Sequence, residues 1–90
     1  MELTLQQRID GYEFALESIQ KDYGSLICPC LLSYLVYVLG IRGESVLHLF
    51  PEFAEYDPAR RGFLGASWFK SREERIDVLQ NIILKLKKNG

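Results

Sequence analysis

The first 23 residues carry the clearest hydrophobic pattern of the chain. Thr4 followed by Gln7 is a capping-box start, and Gly24 suits a left-handed helix stop. Between them, apolar side chains recur every three or four residues, the spacing of one helix face, at Leu5, Ile9, Tyr12, Leu16, Ile19 and Tyr23. This pattern predicts a helix over residues 4–23. Gly11 is unfavourable there by about 1 kcal/mol relative to alanine, so we expect another backbone to approach it closely.

A second apolar stretch, from residue 26 to residue 39, leaves almost no polar face. Ser25 can cap a helix here, and Pro29 falls within or just after its first turn, where a missing N–H matters least. A helix that is apolar all round is buried on most sides. A chain of 90 residues has few other elements with which to surround it. The pattern therefore predicts a helix over residues 26–39 and favours a self-association surface on it.

The pattern is weaker from residue 40 to residue 69 and clear again at the C-terminal end. Gly40 and Gly43 bracket a turn, and short helical turns are expected on either side of Pro51, followed by a loop over residues 57–66. A β-hairpin is the alternative for this middle segment. A second capping-box pair then opens a helix over residues 71–88 with a wide apolar arc. The predicted fold is all-α, a single domain over residues 1–90 with three principal helices.

Two apolar side chains break these patterns. Phe14 and Leu84 lie opposite the apolar faces of the first and last helices at 100° per residue. If both face one direction in the fold, they are candidate interface anchors. Single exposed apolar residues are common on soluble proteins, so the alternative is that neither has a function.

The net charge of −1 conceals an uneven distribution of charged residues. Residues 1–58 hold nine acidic and three basic residues, a balance of −6, whereas residues 59–90 hold eight basic and three acidic residues, a balance of +5. Such a split can steer an anionic partner to one end, or a second copy head to tail, unless the halves pack together and their fields partly cancel. Duplex nucleic acid is disfavoured as a partner, because the acidic half would repel its phosphates.

The sequence offers little for catalysis or metal binding. His48, the only histidine, lies in an apolar segment, which is typical of a hydrogen-bonded core or boundary residue. Cys28 and Cys30 form a C-x-C, and side chains two apart on a helix point about 200° from each other, so they cannot grip one ion. Buried packing cysteines are the better interpretation. With no phosphate-binding, dinucleotide, zincin or EF-hand motif, we expect a non-enzymatic protein without cofactor or metal.

A basic and aromatic segment is the best candidate for a ligand or partner surface. Guanidinium groups bind phosphate or carboxylate bidentately, and an indole can stack on a base. The predicted binding residues are Arg60, Arg61, Trp68, Lys70 and Arg72. Arg72 opposes the dipole of the last helix by a few tenths of a kcal/mol, so something other than the stability of that helix retains it. The alternative is a solvated loop whose aromatic residues pack into the core.

Short motifs spread over most of the chain resemble a group of small, mostly uncharacterised proteins of bacteriophages and gut bacteria. They are Ile27-Cys28, Leu49-Phe50-Pro51-Glu52-Phe53, Trp68-Phe69 and Glu74-Arg75-Ile76-Asp77-Val78-Leu79. The resemblance implies a phage or mobile-element context, in which domains of this size often blunt antiviral defence. It therefore implies an inhibitor that docks on a host defence protein. The alternative is a homo-oligomeric sponge that sequesters a cyclic or other nucleotide immune signal.

The expected location is the cytoplasm of the host bacterium. The N-terminal residues lack the basic and apolar regions of a signal peptide. The longest apolar run, residues 26–41, is shorter than the roughly 20 residues that a bilayer requires and is interrupted by Pro29, Ser33 and Gly40. We therefore expect no membrane association.

Overall fold

The computed structural model describes residues 2–21, 26–55 and 71–89. In these ranges the all-α prediction is confirmed, and no strand occurs among them. The elements are α1 (Leu5–Gln20), α2 (Ile27–Ser33), a π-helical segment π1 (Tyr34–Val38), α3 (Val46–Leu49), α4 (Pro51–Ala54) and α5 (Arg72–Asn89). Helix α1 packs against both α2 and α5 and is the centre of the fold.

The ends of α1 are set by local hydrogen bonds. The N–H of Gln7 donates to Oγ1 of Thr4 (3.1 Å), and the N–H of Thr4 donates to Oε1 of Gln7 (2.9 Å), which confirms the predicted capping box. The helix ends at Gln20, and the N–H of Lys21 bonds back to its last turn. The predicted Tyr23 and Gly24 lie outside the described residues.

Gly11 is buried because an aromatic ring occupies the space above it. A Cβ atom built on Gly11 would lie 2.6 Å from both Cε1 and Cζ of Phe50, and 3.1 Å from Cδ1 of Tyr34. The close approach expected from the sequence is therefore made by side chains and not by another backbone. Phe50 is fully buried and also packs edge-on against Tyr12, with ring centroids 5.0 Å apart.

The second helix differs from the uniform α-helix predicted over residues 26–39. Leu26 occupies the N-cap position without a side-chain cap, and Pro29 lies in the first turn as expected. Beyond Ser33 the backbone changes to π geometry, in which the N–H of Leu39 donates to the carbonyl oxygen of Tyr34, five residues earlier (3.2 Å). Gly40, with a φ of +70°, follows the end of the helix.

The short helices α3 and α4 confirm the helical turns expected around Pro51. The carboxylate of Glu52, on α4, links this segment to α1. Oε1 of Glu52 accepts from the Tyr12 hydroxyl (2.8 Å), and Oε2 accepts from Nε of Arg8 (3.1 Å). The Tyr12 hydroxyl in turn accepts from the N–H of Phe53 (3.2 Å). These bonds join residues about 40 positions apart and fix the 46–55 segment against α1.

Alkaline pH is expected to destabilise the fold through Tyr12. Burial, followed by the Glu52 carboxylate, raises the pKa of Tyr12 far above its usual value. In the unfolded chain this phenol ionises near pH 10. The contribution of Tyr12 to the free energy of unfolding is therefore fully present below about pH 10 and should fall above it by up to about 1.4 kcal/mol per pH unit. Urea unfolding between pH 8 and pH 11.5 measures this slope.

Tyr12→Phe removes the ionisable group and should flatten the slope. Burial also raises the pKa of Tyr34 and of the Cys30 thiol, so a shallower alkaline slope should remain in the variant. An identical slope in both proteins would show that Tyr12 does not control the alkaline transition.

Helix α5 begins and ends close to the predicted bounds. The N–H of Glu74 donates to Oγ of Ser71 (3.1 Å), as in a capping box, while the Ser71 hydroxyl donates to Oε1 of Glu74 (3.2 Å). Its buried face consists of Val78, Leu79, Ile82, Ile83 and Leu86. No helix among the described residues is long and apolar enough to cross a membrane.

Candidate partner-binding groove

An apolar groove of about 480 Å³ lies between α2 and the start of α3. Its lining consists of Cys28, Pro29 and Leu32 from α2, and Glu44, Ser45, Val46 and Leu47 from the opposite side. We call it the α2 groove. Its volume falls within the range of roughly 300–1,000 Å³ typical of ligand pockets. The mostly apolar lining suits an apolar side chain, with the carboxylate of Glu44 as its charged group.

Most of the exposed large hydrophobic side chains of the described residues lie on α2 and on π1, which continues it. Among residues 2–21, 26–55 and 71–89, four large hydrophobic side chains are exposed. Three of them lie on α2 and π1: Leu32 (46% exposed), Val38 (56%) and Tyr37 (82%). The second helix is thus only partly covered, as its all-round apolar sequence predicted. Several exposed apolar side chains on one helix are a feature of interaction surfaces.

The π geometry of π1 contributes to this exposure. Tyr34 and Leu35 are buried, whereas Tyr37 and Val38 lie exposed less than one turn later. A π turn takes more residues than an α turn, so the side chains that follow Leu35 are turned relative to their α-helical positions. π turns inside helices are frequent at functional sites.

The cysteines and the histidine offer no assembled reactive site. Cys28 and Cys30 are both buried, as predicted, and burial raises the pKa of the Cys30 thiol, an effect that the charge of Arg75 partly opposes. His48 is exposed, which corrects the expectation of a core or boundary residue, because the single turn of α3 buries Val46 and Leu49 instead. No three potential metal ligands cluster within the described part of the chain.

His48 lines a second, smaller depression of about 170 Å³ together with Glu2 and Arg8. The Arg8 guanidinium is already engaged, since it donates to the carboxylate of Glu52 (3.1 Å) and to the carbonyl oxygen of Leu3 (2.8 Å). Its charge therefore serves the internal network rather than a ligand.

Four of the five predicted binding residues, Arg60, Arg61, Trp68 and Lys70, lie outside the described residues. The fifth, Arg72, has a role inside the fold. Its guanidinium donates to the carbonyl oxygens of Gln20 (2.7 Å) and Ile19 (3.3 Å) at the end of α1. The last carbonyl groups of a helix lack intrahelical donors and attract cations. Stabilising the end of α1 explains why an arginine is present in the first turn of α5.

Arg72→Ala is therefore expected to lower the free energy of unfolding by about 1 kcal/mol, because two helix-terminal carbonyl groups lose a charged donor. Lys85→Ala, at an exposed position of the same helix, is the matched control and should change stability by less than about 0.5 kcal/mol. Urea unfolding measures both variants. Equal free energies of unfolding in the Arg72→Ala and Lys85→Ala variants would show that Arg72 does not stabilise the end of α1.

The two candidate interface anchors differ in their surroundings. Phe14 is half-buried, with its ring centroid 5.7 Å from that of Tyr34, because π1 packs on the side of α1 away from the hydrophobic stripe. Leu84 is 66% exposed, as its position opposite the buried face of α5 predicted. Sequence reasoning did not single out Leu32, Tyr37 and Val38, although the lack of a polar face on the second helix was the available signal.

The chain matches no known protein family, no characterised protein and no solved structure. The resemblance to phage and gut-bacterial proteins therefore stays a prediction. A function for this chain has to be inferred from the exposed side chains and grooves of its fold.

Proposed function

We propose that this chain is a non-enzymatic binding protein that inhibits a host defence protein by docking on it through the α2 groove and the exposed apolar side chains of α2 and π1. The observation that carries the proposal is the concentration of exposed apolar side chains on α2 and π1, at Leu32, Tyr37 and Val38. The class of partner comes from the phage-like motifs of the sequence.

The energetics of such a surface favour a protein partner. Fully burying a leucine, valine or aromatic side chain contributes roughly 1.5–3 kcal/mol before the entropic costs of association, so Leu32 and Val38, 46% and 56% exposed, would each contribute about half of that. Tyrosine is among the residues most often found at the energetic centre of an interface. Tyr37, at 82% exposed, has most of its side chain available for such contact.

Leu32→Glu is expected to abolish capture of the partner, because it places a charge in the apolar groove. The tagged wild-type chain should recover one stoichiometric protein from host lysate, and the variant should not. Gln6→Glu, which adds the same charge at an exposed position of α1, is the control and should retain capture. Circular dichroism checks that all three proteins are folded. When the captured protein is expressed as a defence, wild-type chain and not Leu32→Glu should restore phage plaques.

The remaining outcomes contradict the proposal in distinguishable ways. If Leu32→Glu still captures the partner and the double variant Arg60→Ala with Arg61→Ala does not, the binding surface includes the basic segment around Arg60 and Arg61 and not the α2 groove. A bound small molecule, released on denaturation and identified by mass spectrometry in place of a protein, would favour the nucleotide sponge.

A further inference from the structure

We propose that the α2 groove also receives Leu84 from a second copy of this chain, so that copies associate head to tail. This inference goes beyond the proposed function, because it concerns the isolated chain. Only its consequence for partner binding, described below, rests on that function.

The exposed side of α5 supplies the apolar side chain of the proposed contact. Leu84 is 66% exposed and points away from the buried face formed by Val78, Leu79, Ile82, Ile83 and Leu86. Lys85 is its neighbour, and Lys88 lies one turn later on the same side, both exposed. Residues 80–89 contain three lysines and no acidic residue. This surface is an apolar side chain flanked by ammonium groups.

The α2 groove is chemically complementary to this surface of α5. Among the described residues its lining is mostly apolar and includes one charged group, the carboxylate of Glu44. Lys85 and Lys88 lie beside Leu84, so the charges next to the two surfaces are opposite. A helix face that places an apolar residue in a groove is a common mode of protein recognition, and opposite charges orient the two surfaces.

The same charges disfavour a parallel symmetric pairing through Leu84. Two α5 helices placed side by side in the same direction would bring Lys85 and Lys88 of one copy next to those of the other. Pairing α5 of one copy with the α2 groove of the next instead joins unlike charges. Such a heterologous contact leaves one groove and one Leu84 unoccupied in each dimer, so further copies can add.

A complementation experiment tests this pairing. Sedimentation equilibrium from about 10 μM to 1 mM covers the range expected for a small interface with one anchor. The wild-type average mass should rise with protein concentration and fall back in high salt. Leu84→Glu alone and Leu32→Glu alone should each remain monomeric. An equimolar mixture of these two variants should form a dimer and nothing larger, because one supplies an intact groove and the other an intact Leu84.

Charge reversal gives an independent readout. Glu44→Lys should weaken wild-type association at least tenfold, and combining it with Lys85→Glu and Lys88→Glu in the same chain should restore it. Gln6→Glu should associate like wild type. A wild-type chain that stays monomeric at every concentration overturns the proposal. A mixture of the two leucine variants that stays monomeric while wild type associates also overturns it, and would indicate a symmetric contact.

Self-association and partner capture would then compete for the α2 groove. Leu84→Glu should remain monomeric yet capture the partner at least as well as wild type, whereas Leu32→Glu should lose both activities. If capture depends on Leu32 and the chain is monomeric at every concentration, the proposed function stands and the self-association is contradicted. If the chain self-associates and captures no partner, the self-association stands and the proposed function is contradicted.

Discussion

Gly11→Ala is expected to destabilise the wild-type chain by about 1–2 kcal/mol, and Gly11→Val by about 3 kcal/mol or more. The added Cβ would meet the ring of Phe50 at 2.6 Å, and Phe50 is fully buried and cannot swing out to solvent. Overpacking of a core typically costs about 1–3 kcal/mol, and a 2.6 Å contact with a buried ring belongs to the upper half of that range. The better helix propensity of alanine subtracts about 1 kcal/mol. Valine adds two further methyl groups and a stiffer side chain. Urea unfolding measures both variants.

The control is a double-mutant cycle with Phe50→Leu. Leucine lacks the Cε1 and Cζ atoms that an alanine at position 11 would meet, so Gly11→Ala should be nearly neutral or stabilising in the Phe50→Leu background. Additive costs of the two substitutions would contradict the interpretation, since they would show that the Phe50 ring does not limit the size of residue 11.

The first and last helices, α1 and α5, could be predicted because their sequence signals are local. Thr4 and Gln7 start α1, Ser71 and Glu74 start α5, and the apolar spacing between the ends needs no tertiary information. The exposure of Leu84 followed from the same periodicity. The π geometry of π1 could not be predicted, since the residues there have ordinary helical patterning and the extra residue per turn depends on packing.

The candidate site was less accessible to sequence reasoning because it depends on contacts between distant residues. The α2 groove requires residues 44–47 to lie beside α2, which no local pattern specifies. Likewise, the carbonyl groups that Arg72 contacts lie 52 and 53 positions away at the end of α1, so no local pattern indicates these bonds. Phe14 appeared exposed because a single-helix projection cannot show that π1 covers a second side of α1.

Glu52→Ala is expected to lower the free energy of unfolding by about 2–4 kcal/mol. The carboxylate accepts from the Tyr12 hydroxyl at 2.8 Å and from Nε of Arg8 at 3.1 Å, so its loss leaves the buried hydroxyl and this Nε without their acceptor. A hydrogen bond to a charged group contributes roughly 1.5–3 kcal/mol, and the two bonds are less than additive because Arg8 is partly exposed to water and also donates to the Leu3 carbonyl oxygen. Glu55→Ala, at an exposed carboxylate three residues later, should change stability by less than about 0.5 kcal/mol.

The pattern of local opening should identify what Glu52 holds in place. Because Glu52 joins α4 to α1, amide hydrogen exchange in Glu52→Ala should accelerate first over residues 44–54, which include one wall of the α2 groove, and only later in α1 and α5. The cost of Glu52→Ala should also shrink in a Tyr12→Phe background, since the hydroxyl that needs the acceptor is then absent. Equal costs in the two backgrounds, with exchange accelerated uniformly along the chain, would show that the carboxylate stabilises the fold as a whole and does not anchor the groove wall.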